Sequence, residues 1–204
     1  MHGALGDGGR PQVARYPFAV SARRLALLAL CAVACTLLSS CGSSSSSALT
    51  TTTTVRTAGF TYGPHPSVSA RMICRHEAVV DLANVLGART LRTPVPTWHA
   101  HRYTCRYAYR DGTMVLSVTE LPTLPATRAY TRALARRMGD TGPVSGVGQG
   151  AFTTPNGSVV SRKDNKVLVV DVAGLPGRFG HPATTRGEVA LTVTQVIFAC
   201  WRGD

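Results

Sequence analysis

The sequence predicts an α+β fold, an antiparallel sheet of two hairpins packed against about three helices. Apolar residues recur at helical spacing near residues 69–87 and again near 126–138. After each of these stretches two strand-like runs flank a short turn sequence, the mark of a hairpin, and around the first turn their polarity alternates. Helix and hairpin succeed one another without the strand–helix–strand alternation of a parallel sheet.

The first helix is read in "SARMICRHEAVVDLANVLG". Ile73, Val79, Leu82 and Leu86 fall at helical spacing, with Ser69 as candidate N-cap and Gly87 as the stop. A loop containing Pro94 and Pro96 follows. The first hairpin is "HRYTCRYAYRDGTMVLSVTEL", turning at Asp111-Gly112, the dipeptide favoured where both central residues need positive φ. Folding there pairs Tyr109 with Met114, Tyr107 with Leu116 and Cys105 with Val118 on one face, and sends Arg106 and Arg110 to the other. The second helix runs from about Ala126 to Met138, apolar at Ala126, Tyr130, Leu134 and Met138. Arg128, Arg132 and Arg136 follow each other at i, i+4 spacing.

Next comes "GPVSGVGQGAF". It lacks the Lys-Ser/Thr of a phosphate-binding loop and its glycines miss the dinucleotide fingerprint, so it reads as a strand-entry turn. The second hairpin has strands near Ser158–Arg162 and Val167–Val172 across "KDNK". The last element, Thr185 to Ala199, carries Val189, Val193, Val196 and Ile197 at helical spacing. It is also rich in β-branched residues, so helix and strand compete there, and helix is the expectation.

The first 68 residues are of another kind. Arg23 and Arg24 precede an apolar run from Leu25 to Leu38. As a helix this run would be about 21 Å long, short of the ~30 Å hydrocarbon core of a bilayer. It therefore reads as a signal segment. The run closes on Leu38-Ser39-Ser40-Cys41, which resembles the lipobox of bacterial lipoproteins: an aliphatic residue, two small residues and the cysteine that becomes lipidated. The resemblance implies cleavage before Cys41 and a thioether to diacylglycerol on its sulfur. Residues 1–40 are then a lipoprotein signal peptide, and 41–68 are the lipidated cysteine and a Ser/Thr-rich tether whose side chains bury too little to offset the entropy of ordering them. Residues 69–204 are a single globular domain.

Charge narrows the class of partner. The chain has 22 basic and 10 acidic residues, a net charge of +12. Removing residues 1–40 takes away Arg10, Arg15, Arg23, Arg24 and only Asp7, which leaves 18 basic against 9 acidic residues, or +9. Outside a membrane such a surface meets phospholipid head groups and acidic wall polymers before nucleic acid; solubility alone is the blander use of the charge. Only Lys163 and Lys166 of the basic residues are lysine, which with the abundance of Ala, Gly and Val suggests a GC-rich genome.

Beyond the lipobox, the mature part resembles small secreted lipoproteins of actinobacteria. The shared features are a helix with Cys74, a strand with Cys105 and the glycine-bounded hairpin "GVGQGAFTTPNGSVVSRKDNKVLVVDV". The resemblance brings no catalytic residues with it. Cys200 departs from its two-cysteine pattern. Cys74, Cys105 and Cys200 allow three single pairings; Cys74 with Cys105 is the expected one, with Cys200 free or the alternate partner.

Chemistry elsewhere is thin. His99 and His101 in "WHAHRY" would share one side of a strand, and His76 or Glu77 would have to complete a metal set, so no metal is expected. Ser158 and Ser161 fall inside a strand, not on a nucleophile elbow. With nine acids in the mature chain, most in turns, no carboxylate pair is assembled. The terminal Arg202-Gly203-Asp204 is too short to carry weight. The expectation is a membrane-anchored, extracytoplasmic binding module without cofactor, whose Arg128, Arg132 and Arg136, joined by Arg106 and Arg110, contact an anionic envelope component. The alternative is an extracytoplasmic hydrolase with an unrecognised site.

Overall fold

The computed structural model describes residues 63–201. The expected signal peptide, Cys41, the tether up to residue 62 and the closing Arg202-Gly203-Asp204 lie outside the described residues. The fold is α+β and its centre is larger than two hairpins: a seven-stranded antiparallel sheet in the order β1-β2-β3-β7-β6-β5-β4, accompanied by four helices. The strands are β1 Pro96–His99, β2 Arg102–Tyr109, β3 Gly112–Glu120, β4 Gly142–Val144, β5 Ala151–Thr153, β6 Val159–Lys163 and β7 Lys166–Asp171. A two-stranded ribbon, β8 Arg178–Phe179 with β9 Thr184–Thr185, stands apart from it. The helices are α1 Val68–Met72, α2 His76–Leu86, α3 Leu124–Met138 and α4 Arg186–Cys200. No helix among the described residues is long and apolar enough to cross a membrane.

Each face of the sheet has its own core. On one face Cys105, Tyr107, Met114, Leu116, Val118, Val159, Leu168 and Val170 pack with residues of α1, α2 and α4, among them Ile73, Leu82, Val193 and Ile197. On the other face Leu134 of α3 packs on Phe152, Val160 and Val167, with Tyr130, Ala135 and Met138 at the margin. The alternation of β2, β3 and β7 thus serves two layers of helix. The second layer is incomplete, because the apolar residues that pack with α3 come from β5, β6 and β7 and the segment just after β3.

The single helix expected over 69–87 is broken into α1 and α2. At the break, Cys74 and Arg75 donate their N–H groups to Arg71 and Met72, three residues back. The Ile73 carbonyl accepts the Tyr107 hydroxyl at 2.6 Å. Cys74 is itself tied to the sheet by a disulfide to Cys105. A carbonyl and a side chain drawn towards the sheet at one spot turn the chain out of the helix. The N-cap is Ser67, whose hydroxyl accepts from the Ala70 N–H at 3.1 Å, and not Ser69, which is buried. Gly87 ends α2 as expected, in the left-handed region (φ 58°), where an added Cβ would fall 2.3 Å from the His181 carbonyl oxygen.

The β2–β3 hairpin folds two residues away from the expected register. Tyr109 stands opposite Gly112, Tyr107 opposite Met114 and Cys105 opposite Leu116. A slip of two residues leaves every side chain on its expected face, so polarity could not detect it. The turn residues are Arg110 and Asp111, neither at positive φ. Gly112 serves a different need: a Cβ there would lie 2.4 Å from the Gly174 carbonyl oxygen, which accepts from the Thr113 N–H. The turn with two left-handed central residues lies between β1 and β2, at Ala100 (φ 46°) and His101 (φ 57°).

The "KDNK" hairpin forms with Lys163 opposite Lys166. The glycine-rich segment is more than a strand entry, since β4 and β5 pair across it and Val147 at its tip is buried. The final element is helical. Thr185 and Glu188 form a capping box at its start, the Glu188 carboxylate accepting from the Thr185 N–H and hydroxyl at 2.8 Å each.

Candidate anion-binding surface

Cys41 lies outside the described residues, so the geometry concerns the domain alone. Cys74 and Cys105 are joined, Cα to Cα 5.6 Å, across 31 residues of chain. Cys200, partly buried at the end of α4, is in no disulfide. A disulfide of this kind is compatible with an extracellular protein.

Arg128, Arg132 and Arg136 are all exposed on α3. None of them makes a hydrogen bond or ion pair among the described residues. The side of α3 that meets the sheet is marked by buried Thr127 and Leu134 and half-buried Tyr130 and Met138. At about 100° per residue the three arginines lie on the flank and back of the helix relative to that side. Arg106 is exposed on β2, on the sheet face that α3 shares, and Arg110 is exposed in the β2–β3 turn. The structure does not gather these five arginines into one patch: the stripe looks away from the sheet that carries Arg106.

A groove that the sequence did not disclose lies where α3 leaves the sheet open. It has a volume of about 240 Å³. Arg102, Thr104 and Ser117 of the sheet, Asp171 at the end of β7, and Tyr130 and Arg137 of α3 supply its polar groups. Val115, Val169, Leu134 and Met138 supply its apolar lining. Arg102 is fixed in place, its guanidinium donating to the Tyr130 hydroxyl at 2.5 Å and to Thr119 Oγ1 at 3.3 Å. Arg137 is exposed and makes no hydrogen bond or ion pair among the described residues. A second depression of about 330 Å³, bounded by Thr97, His99 and Ala100, continues the groove towards β1 and shares Arg102 and Thr104 with it. The one sequence signal for it would have been the pair Arg102 and Thr104 at alternate positions of β2. It becomes legible only once the sheet order places β1, and not another helix, beside them.

The other residues weighed for chemistry are separate or occupied. His99 ends β1, exposed, while His101 sits in the turn and meets the Trp98 ring edge-on at 5.9 Å, so the two do not point along one strand face. His76 and Glu77 are exposed at the start of α2. No group of three or more His, Cys, Asp or Glu side chains fit to hold a metal ion occurs among the described residues. Ser158 Oγ donates to Asp171 at 3.2 Å and accepts from the Val172 N–H, and Ser161 Oγ donates to the Val147 carbonyl. Both hydroxyls thus hold strand ends and loops together. Burial pushes the Tyr107 and Tyr109 phenols well above their ordinary value, and Tyr103 is raised by burial against the opposing pull of Arg71 and Arg75. These phenols stay protonated at neutral pH, as the bond from Tyr107 to Ile73 requires.

The chain matches no protein-family model, no curated protein and no solved structure.

Proposed function

We propose that this protein is a lipid-anchored binding module on the outer face of the cell membrane, resembling the small lipoproteins of actinobacteria and contacting an anionic component of the envelope. The observation that carries the binding part is the row Arg128, Arg132 and Arg136, three exposed guanidinium groups on one side of α3 with no hydrogen bond or ion pair among the described residues. Like charges at this spacing repel by a few tenths of a kcal/mol each, a cost that an anionic partner reverses. The anchoring part rests on the sequence Leu38-Ser39-Ser40-Cys41 behind a short apolar run. The Cys74–Cys105 disulfide is consistent with that side of the membrane.

Two experiments test the two parts. Mass spectrometry of the native protein should find Cys41 as an acylated N-terminus; a mature chain beginning elsewhere, or a Cys41→Ala protein still held in the membrane, contradicts the anchor. The full-length Cys41→Ala chain, incubated with washed membrane and cell-wall fractions at low ionic strength, should be retained by at least one of them and released by salt. Turnover of an ester or glycan substrate that survives repurification would replace the module by a hydrolase.

A further inference from the structure

We infer that the groove between α3 and the open half of the sheet is a second and more selective site, taking one phosphate or carboxylate group on a hydroxylated carbon skeleton. This rests on the reading of the domain as a binder of anions, but on residues other than the α3 stripe.

The floor is set by strand register. Arg106, Val115 and Asp171 stand in one row across β2, β3 and β7, and Thr104, Ser117 and Val169 form the next. Arg102 opposite Thr119 begins the third. Arg102 is about 14 Å from Arg106 along β2, and neighbouring rows of hydroxyls and charges are about 7 Å apart. Thr104 and Ser117 therefore lie side by side between the fixed guanidinium of Arg102 and the carboxylate of Asp171. Arg137 reaches the same space from the helix.

Charge and size choose the ligand. Two guanidinium groups that can each offer paired N–H donors favour a phosphate or carboxylate. A bare, compact anion would feel Asp171 as a repulsion. Asp171 Oδ1 already accepts from Ser158 Oγ and the Ala173 N–H, and a ligand that places its anion between Arg102 and Arg137 and a hydroxyl against Asp171 gives the other carboxylate oxygen a donor. The hydroxyls of Thr104 and Ser117 serve the same skeleton, and Val115, Val169 and Met138 cover its carbon atoms. At about 240 Å³ the groove holds roughly eight water volumes and falls below the usual range of sites that enclose a whole small molecule. It fits one anionic polyol unit, free or as the head group of a lipid.

The test uses the full-length Cys41→Ala chain and calorimetric titration with glycerol 3-phosphate, inorganic phosphate and glycerol, with vesicles containing phosphatidylglycerol as the head-group arm. Glycerol 3-phosphate should bind more tightly than inorganic phosphate, and glycerol should not bind. Arg137→Ala should weaken glycerol 3-phosphate about tenfold, the worth of a hydrogen-bonded charge, and Arg102→Lys should weaken it while keeping the charge. Asp171→Asn should strengthen inorganic phosphate and narrow its gap to glycerol 3-phosphate. Vesicle binding that Arg137→Ala removes identifies a lipid head group as the source, whereas binding of glycerol 3-phosphate without it identifies a free ligand. The Arg128→Ala, Arg132→Ala, Arg136→Ala variant should keep its glycerol 3-phosphate affinity even if it no longer binds envelope fractions, so the two sites can fail separately. Equal binding of glycerol 3-phosphate and inorganic phosphate, no binding of either arm, or an Arg137→Ala chain indistinguishable from the parent overturns the inference.

Discussion

At the residue scale, Tyr107 couples the two halves of the disulfide-linked core. Its ring is fully buried in the sheet, and its hydroxyl donates to the Ile73 carbonyl at the break between α1 and α2. One residue further on, Cys74 is bonded to Cys105, which shares the Tyr107 side of β2. Tyr107→Phe keeps the ring and leaves the Ile73 carbonyl without its donor, so a loss of about 1–3 kcal/mol is expected, read as a lower midpoint of urea unfolding with unchanged slope. Cys74→Ser opens a 31-residue loop and should cost about 3–4 kcal/mol by the chain-entropy account. Cys200→Ser should change the midpoint little, because Cys200 is outside the disulfide. Non-reducing peptide mapping that links Cys200 to either partner would contradict both expectations. The break left a trace in the sequence: at about 100° per residue Ile73 stands roughly half a turn out of phase with Leu82 and Leu86, so one unbroken helix could not bury all three on one side. Its cause, a hydroxyl 34 residues away, lies far from it in the chain.

At the scale of elements, α4 shows how a local signal settles a conflict of propensities. Its run of Val, Thr and Ile would suit a strand, and its polarity hardly distinguishes one side from another. The capping box from Thr185 to Glu188 starts it as a helix, and Val189, Val193 and Ile197 then meet the sheet. The same four letters, Thr-Arg-Gly-Glu, would have settled the choice from sequence alone. Thr185→Ala should destabilise the fold by about 1 kcal/mol. The Thr185 N–H, and then its hydroxyl, hold the Glu188 carboxyl below its ordinary value of 4.5. Its contribution is therefore full above that value and is lost as the pH falls through the lower folded one. Glu188→Gln should flatten the acid limb of the stability profile; an unchanged acid limb would show that the bond is not kept in solution.

Strands tell the opposite story. The β2–β3 hairpin was legible because its strands, of eight and nine residues, alternate in polarity on each side of a turn, and the β6–β7 hairpin because valine-rich runs flank a polar turn. Strands β1, β4 and β5 have four, three and three residues, too few for a period of two to emerge. Pro96 at the start of β1 and Pro143 in β4 suit the two edges of the sheet, where a missing N–H costs no ladder bond.

At the scale of the whole molecule, the sheet has one fully covered face and one that α3 covers in part. The covered face takes apolar residues at most inward positions, with buried Glu120, Lys166 and Ser161 among the exceptions, and the alternation of the first hairpin announced those of β2 and β3. The open half is lined by Arg102, Thr104 and Ser117, residues that the hairpin pattern left without a role. What made them a groove was the placing of α3 and β7 beside them, which depends on the pairing of β3 with β7 across 45 residues of intervening chain between Glu120 and Lys166. The arginine stripe of α3, by contrast, was visible from its spacing alone and is exposed as that spacing implies.

Contact of those three arginines with an anionic envelope surface is what separates a binding module from a domain with a merely solvated helix. The decisive measurement is the retention of the full-length Cys41→Ala chain on washed membrane and wall fractions across a salt series, beside its Arg128→Ala, Arg132→Ala, Arg136→Ala variant. The parent should be retained strongly at low salt with a steep fall as salt rises, and the variant should be retained weakly with a shallower salt dependence. A variant retained as well as the parent at every salt concentration would contradict a binding role and leave the stripe a solvated helix face.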